Sequence, residues 1–336
     1  MSLPTATKQQ SRSRLMVAAG KMLAALRGCF PVLRTRKTRI DLPQFQHAPA
    51  LRKGSLAVVA IIWNEARDLR EWIEFQRTVG VSHVYLYDDG STDHTLEIVA
   101  PYVRSAYVTC IPWSSFIHGV GPQRLAYAHA LATFGCEWDW MTFIDLDEFL
   151  FPVVADTLPA ALQAYEDLPA VVVPWHMYGH GGHDARPAGR VIESYLKRTP
   201  FPPPASPTGL LNWKSIVRPT RVIGVDSPHL FVLDDGRRGG YSETRQWIDT
   251  QRPEGWENLE SRVFRLNHYF TKSREDFLSR RSLGRSVTGR DAGKHVNRAR
   301  YYAQAIEAAP ALHDTLILRF LPQLRAQLDE SPEVCE

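Results

Sequence analysis

The chain has 336 residues, 44% hydrophobic and 23% charged, a globular composition that argues against intrinsic disorder and offers one large domain or two smaller ones. Its net charge of +4 is uneven: residues 1–40 hold nine Lys and Arg and no acid, leaving 31 basic against 36 acidic residues elsewhere. A mildly acidic body argues against nucleic acid as a partner, because phosphate binding wants a basic face. Cys29, Cys110, Cys136 and Cys335 lie far apart without CxxC spacing, which disfavours zinc ribbons and disulfide frameworks and suits a reducing compartment.

In the basic tail, Leu15, Ala19, Met22, Leu23, Leu26 and Phe30 form an apolar stripe at helical spacing beside Arg14, Lys21 and Arg27. The stripe is too short and too interrupted to span a bilayer, and no small-residue cleavage site follows an unbroken apolar core. The expectation is a peripheral contact of residues 14–30 with an anionic membrane surface, on a cytoplasmic protein at the inner face. A packing helix on an N-terminal extension and an organelle transit segment are the other readings. Pro43 and Pro49 mark a linker, so residues 1–54 are expected as extension and the ordered domain from 55.

Residues 56–62, LAVVAII, are a continuous apolar run of strand length, as in a buried parallel strand. A helix follows, with Leu69, Trp72, Ile73, Gln76 and Val79 on one face and Arg70, Glu71, Glu74 and Arg77 toward water. Further strands are predicted at 83–87, 106–111 and 140–144, with a helix after DDGSTDHT, capped by Ser91 or Asp93 and stopped by Pro101, and another at 123–134. Such alternation predicts a mostly parallel sheet flanked by helices, which binds ligands beyond the carboxyl ends of its strands. Beyond residue 150 the pattern predicts strands at 171–175, 191–198, 213–218, 221–225, 229–233 and 263–270, and helices at 273–284, 297–308 and 311–328.

Two loops at strand ends carry chemistry. FIDLDEFLF (143–151) sets Asp145, Asp147 and Glu148 in an apolar run, where carboxylates need a partner. Asp145 and Asp147, two apart in a sharp loop, suit one hard cation, Mn²⁺ or Mg²⁺, whose shell substrate phosphates complete. DDGSTD offers Asp88 or Asp89 to a nucleotide base or ribose, and equally reads as a turn whose glycine takes positive φ.

The ordered segments AIIWNEARDLREWIEFQRTVGVSHVYLYDDGSTDHT, DWMTFIDLDEFLF, NWKSIVRPTRV with SPHLF, and RLNHYFTKSREDFLSRRSLGR resemble the GT-A glycosyltransferases, nearest the family-2-like and family-92 (DUF23-like) group, over roughly residues 56–285. The resemblance implies a GT-A-type (Rossmann-like) α/β fold at 55–285, with C-terminal helices at 286–336. It also implies an inverting, metal-dependent transferase moving a sugar from a nucleotide-sugar donor, taken as a UDP-sugar, to a glycan or lipid-linked acceptor hydroxyl. By position it places Asn64 and Glu65 at the nucleotide pocket with Asp88 and Asp89. Asp147 becomes the direct metal ligand, Asp145 a ribose partner or indirect support, and His268 or His229 the late metal ligand. The catalytic base falls to Glu193, with Glu243 and Glu257 as alternatives and an ion pair of Glu193 with Arg190 or Lys197 as the structural reading.

Lys214, Arg218, Lys272 and Arg281 form a later basic set suited to neutralising phosphate, although each taken alone reads as a surface charge. His176, His180 and His183 have a zinc-like spacing, but the glycines among them make a loop, better suited to an acceptor side. A haloacid-dehalogenase-like phosphohydrolase is disfavoured, because Phe149 stands where that motif wants Thr or Val. A catalytically silent nucleotide-sugar or glycan-binding protein is the other alternative.

Overall fold

The computed structural model describes residues 39–42, 53–113, 121–202, 212–249, 259, 261–282 and 292–330. The stripe at 14–30, the linker prolines, Cys29, Cys335, Glu257 and most of the proline-rich loop lie outside the described residues. A compact unit spans Arg39–Glu336.

The strands and helices begin as the apolar pattern requires. β1 (Gly54–Ile62), α1 (Ala66–Thr78), β2 (His83–Asp88), α2 (Thr95–Arg104), β3 (Val108–Pro112), α3 (Pro122–Phe134) and β4 (Trp138–Phe143) follow one another. β1 pairs in parallel with β2 and β4, and β2 in parallel with β3. The resulting order, β3-β2-β1-β4, reverses direction between β1 and β4, so a crevice opens at their carboxyl ends. The order continues through β7 (Trp213–Val217) to β6 (Ala170–Met177), with β7 antiparallel to both β4 and β6. The fold is therefore a mixed α/β sheet, parallel over its first four strands.

Alternation along β1 splits the core. Leu56, Val58, Ala60 and Ile62 face the layer of α1 and α2, with Trp72, Ile73 and Phe75. Ala57, Val59 and Ile61 face α3, with Tyr127 and Phe143. Each fully buried side chain of this size is worth about 1.5–3 kcal/mol. α1 ends at Gly80, whose φ of +86° and whose approach to Thr157, 2.7 Å from where a Cβ would stand, leave room only for glycine.

Several expectations change. Glu71 and Glu74 are buried rather than solvated. Glu71 accepts the backbone N–H groups of Val191 and Ile192, and Glu74 pairs with Arg77. Residues 191–198 hold a short helix, α4 (Val191–Ser194), and a two-residue strand at Lys197–Arg198. α2 continues through Pro101 to Arg104, with the proline inside the helix at the loss of one backbone donor; its N-cap is His94, and Asp93 Oδ1 accepts from Thr95 N at 3.0 Å. DEFLF is a strand, β5 (Glu148–Pro152), antiparallel to β8 (Phe264–His268), which also runs parallel to the end of β6. The C-terminus holds α5 (Arg274–Ser282), α6 (Ala292–Ala308) and α7 (Leu321–Glu330). Phe320, just before α7, packs edge-on against Phe75 and Phe151. No helix among the described residues is long and apolar enough to cross a membrane.

Candidate active site

The site is built where β1, β2 and β4 end. Asn64, one residue beyond Trp63, takes a left-handed conformation (φ +53°) that Asn tolerates better than most side chains. Its side-chain Oδ1 accepts from Thr92 N at 2.7 Å, its backbone N–H donates to Ser91 Oγ at 2.9 Å, and Glu65 N donates to Thr95 Oγ1. Asn64 and Glu65 thus clamp the first loop onto DDGSTD, and the Asn64 amide is a loop clasp before it is anything else. Asp88 accepts Ser91 N at 3.2 Å, and Asp88 and Asp89 are both buried at the strand end.

The turn after β4 is held from every side. Trp72 of α1 donates its indole N–H to the Glu148 carbonyl at 2.9 Å, and Phe75 packs edge-on against Phe149 with centroids 5.0 Å apart. The WIEF helix and the DEF strand are therefore one packing unit. Glu148 is fully buried and accepts Asp145 N at 2.9 Å, closing the turn. Asp145 accepts from Gln123 Nε2 at 2.7 Å through one oxygen and from Lys214 Nζ at 2.9 Å through the other. Lys214 also stands 3.4 Å from Glu148 Oε2. Burial opposes its positive charge, but Asp145 and Glu148 overcome that and raise its pKa, so the ammonium stays protonated.

Asp147 has a different partner. His268 Nε2 lies 3.4 Å from Asp147 Oδ1, and Tyr269 N donates to the Asp147 carbonyl at 2.8 Å. Burial lowers the His268 pKa, while Asp147 and then Glu148 more than restore it. The Trp175 ring touches His268 (centroids 4.4 Å) and His229 (5.2 Å). His229 bonds the Trp213 carbonyl through Nδ1 at 2.8 Å.

Among the described residues, no three His, Cys, Asp or Glu side chains converge as a ready metal cage. His268 Nδ1 and Glu148 Oε1 are among the buried atoms without a hydrogen-bond partner, and they face each other at 3.9 Å. A histidine backed by a carboxylate, with its other nitrogen toward Asp147, is the donor set a substrate-borne divalent ion needs. The residues fit such an ion as a pair, with His229 on the other side of the Trp175 ring from His268.

The remaining predicted residues have other partners. Glu193 pairs with Arg325 and Arg190; burial raises its pKa, and these arginines lower it to a net depression, which unsuits it as a base. Its ion-pair reading is the one the geometry supports. Glu243 accepts the backbone N–H groups of Arg262, Val263 and Phe264, a structural task. Lys214 and Lys272 are buried, not surface charges; Lys272 pairs with Asp68. Arg218 lies over Trp140 and, with Ser55, lines a hollow near the amino ends of the strands. His176 bonds Ser261, His180 pairs with Glu307, and His183 bonds the Ser194 carbonyl, so the three histidines do not converge.

Gln123 and Trp175 were not expected at the site, and Lys214, expected as a charge for phosphate, instead holds Asp145 and Glu148. A lysine inside the apolar strand WKSIV is the same kind of signal as acids inside FIDLDEF, and the two could have been matched.

A sheet parallel over four strands, with an Asp-x-Asp turn beyond its switch point, defines the GT-A-type glycosyltransferase class. Within it, the chain belongs to glycosyltransferase family 92, whose family model matches residues 58–236. A family 92 protein of Oryza sativa subsp. japonica is 29% identical over 203 residues, 59% of this chain and 33% of that protein. Another, of Ricinus communis, is 25% identical over 242 residues, 67% and 39% of the two. The chain thus spans about a third of the length of the curated relatives it matches. Among solved structures, S. aureus TarS with UDP-GlcNAc is 16% identical with a TM-score of 0.31, covering 49% of this chain and 45% of that one. The mannosyltransferase PcManGT from Pyrobaculum calidifontis with GDP-Man and Mn²⁺ is 20% identical with a TM-score of 0.27, covering 47% and 45%. That likeness is too slight to carry function.

Proposed function

We propose that the chain transfers a hexose from a nucleotide-sugar donor, taken as a UDP-sugar, to a hydroxyl of a glycan or lipid-linked acceptor, inverting the anomeric centre by direct displacement. The observation that carries this reading is the meeting of the Asp145–Asp147 turn with the ends of β1 and β2 at the sheet's switch point.

In this reading Asp88 and Asp89 receive the base or ribose, and Asn64 with Glu65 keeps their loop in place. Lys214 and Gln123 hold Asp145 in one orientation while its side chain, 34% exposed, stays open to the ribose. Asp147 and His268 would hold Mn²⁺ or Mg²⁺. A bound divalent ion supplies positive charge to the departing diphosphate. The residues' own work is to keep those donors buried and fixed, so no reorganisation is needed as charge develops. Neither Glu193 nor Glu243 is retained as the acceptor of the proton. The membrane contact of residues 14–30, and with it a place at the inner face, is proposed from charge pattern alone.

The test is a nucleotide-sugar panel scored by thermal shift with and without Mn²⁺, with release of nucleoside diphosphate followed in parallel. A metal-dependent shift with slow hydrolysis of one donor is expected. No shift for any donor sinks the transferase reading, and a shift without hydrolysis favours a silent binding protein.

A further inference from the structure

One helical turn beyond Asn64 and Glu65, α1 opens onto a cavity of about 740 Å³ to which the donor site gives no role. Arg67 and Arg70 of α1, Arg186 and Arg190 before α4, and Glu71 and Asp329 contribute to its lining. Four guanidinium groups face two carboxylates. One of these, Glu71, is already engaged with the backbone of Val191 and Ile192 at 2.8 and 3.1 Å.

Helix stability does not explain this arrangement. Arg67 and Arg70 stand in the first two turns of α1, where the positive end of the helix dipole disfavours cations. Yet they and their neighbours are aimed from behind. Arg186 pairs with Asp68 and with Asp276 (3.4 Å), Arg67 with Asp276 (3.5 Å) and Arg190 with Glu193 (3.5 Å), while Arg70 donates to the Leu328 carbonyl. Asp276 is fixed in turn by Ser273 Oγ at 2.8 Å. A guanidinium has five N–H donors, so one edge can be anchored while another faces the cavity. Several such forks on one wall match the oxygens of a phosphate.

We propose that this cavity binds a phosphoryl group, the anionic end of an acceptor whose hydroxyl reaches the neighbouring transfer site. The acceptor role rests on the transferase reading above; the phosphate binding does not.

The test is calorimetry on the full chain with inorganic phosphate and with glycerol phosphate, a lipid head-group mimic, at low and high salt. The wild type is expected to bind saturably and more weakly as salt rises. Arg67→Ala/Arg70→Ala is expected to bind at least tenfold more weakly, with metal-dependent nucleotide-sugar binding unchanged. Arg67→Ala alone, at a side chain 64% exposed, keeps the fold and is expected to weaken binding severalfold. Tighter binding of glycerol phosphate assigns the site to a lipid-type head group, and tighter binding of inorganic phosphate to a free phosphate. No saturable binding, or equal binding by wild type and double variant, overturns the proposal. Loss of nucleotide-sugar binding with phosphate binding intact would instead count against the transferase reading alone.

Discussion

Lys214 Nζ sits 2.9 Å from Asp145 Oδ2 at the floor of the site, with its own side chain 1% exposed. The charge of Asp145 is thereby answered from within the protein, so in the proposed reading a metal ion is left to Asp147 and His268. Removing one member of a buried ion set leaves the others uncompensated, a loss of about 3–5 kcal/mol. Lys214→Ala is therefore expected to lower the urea midpoint by that equivalent, and adding Glu148→Gln should restore part of it. Strict additivity of the two changes would show that the groups do not interact.

Asp147→Ala is expected to abolish the difference that Mn²⁺ makes to nucleotide-sugar binding while leaving Asp145, Gln123 and Lys214 in place. Thermal shift with and without the ion reads this directly. A variant that keeps the full metal-dependent shift would remove Asp147 from the cation site.

Glu193→Gln separates the corrected role from the expected one. A working general base contributes about 10²–10⁴-fold, whereas a residue held by Arg325 and Arg190 contributes structure. Turnover in the variant should stay within about twofold of wild type, with a small drop in melting temperature. A hundredfold loss of kcat at unchanged stability would reinstate Glu193 as the base.

Glu71 sets a pH dependence. Burial pushes its pKa up to about 7 from 4.5, against the two backbone N–H groups that favour the charge. The folded chain thus holds a proton that the unfolded chain has lost. The stability this contributes is full below pH 4.5 and falls as pH rises through about 7, by about 3 kcal/mol in all. Denaturant unfolding from pH 4.5 to 8 should show a fall at least that large in the wild type, and Glu71→Gln should reduce it, leaving the share of Glu148, whose pKa burial likewise raises to about 7. A wild-type curve rising over the same interval would reverse the assignment.

The legible parts of this fold were the local ones. LAVVAII declares itself as a buried strand by composition, and DDGSTD and DLDEF fall at strand ends because strand and helix alternate around them. What escaped depends on distant partners. Glu71 and Glu74 look like the wet side of an amphipathic helix until α4 and Arg77 cover them. DEFLF looks like the tail of a loop until β8, more than a hundred residues later, pairs with it. Glu193 looked like a base because it lies near a glycine-rich loop, and only the position of α7 shows Arg325 upon it.

The pairing of β5 with β8 sets Glu148 opposite His268, and its register, with the parallel pairing of β8 to β6, brings His268 to Asp147. Since side chains alternate along a strand, a slip of one residue would turn the imidazole to the opposite face. That pairing closes a very long loop, the kind of contact that forms late in folding. The nucleotide loops can assemble early from neighbouring segments, whereas the cation pair cannot exist until the last strand has docked. In the proposed reading, competence for metal is thus a readout of completed folding, and a partly folded chain would hold the proposed nucleotide loops without it.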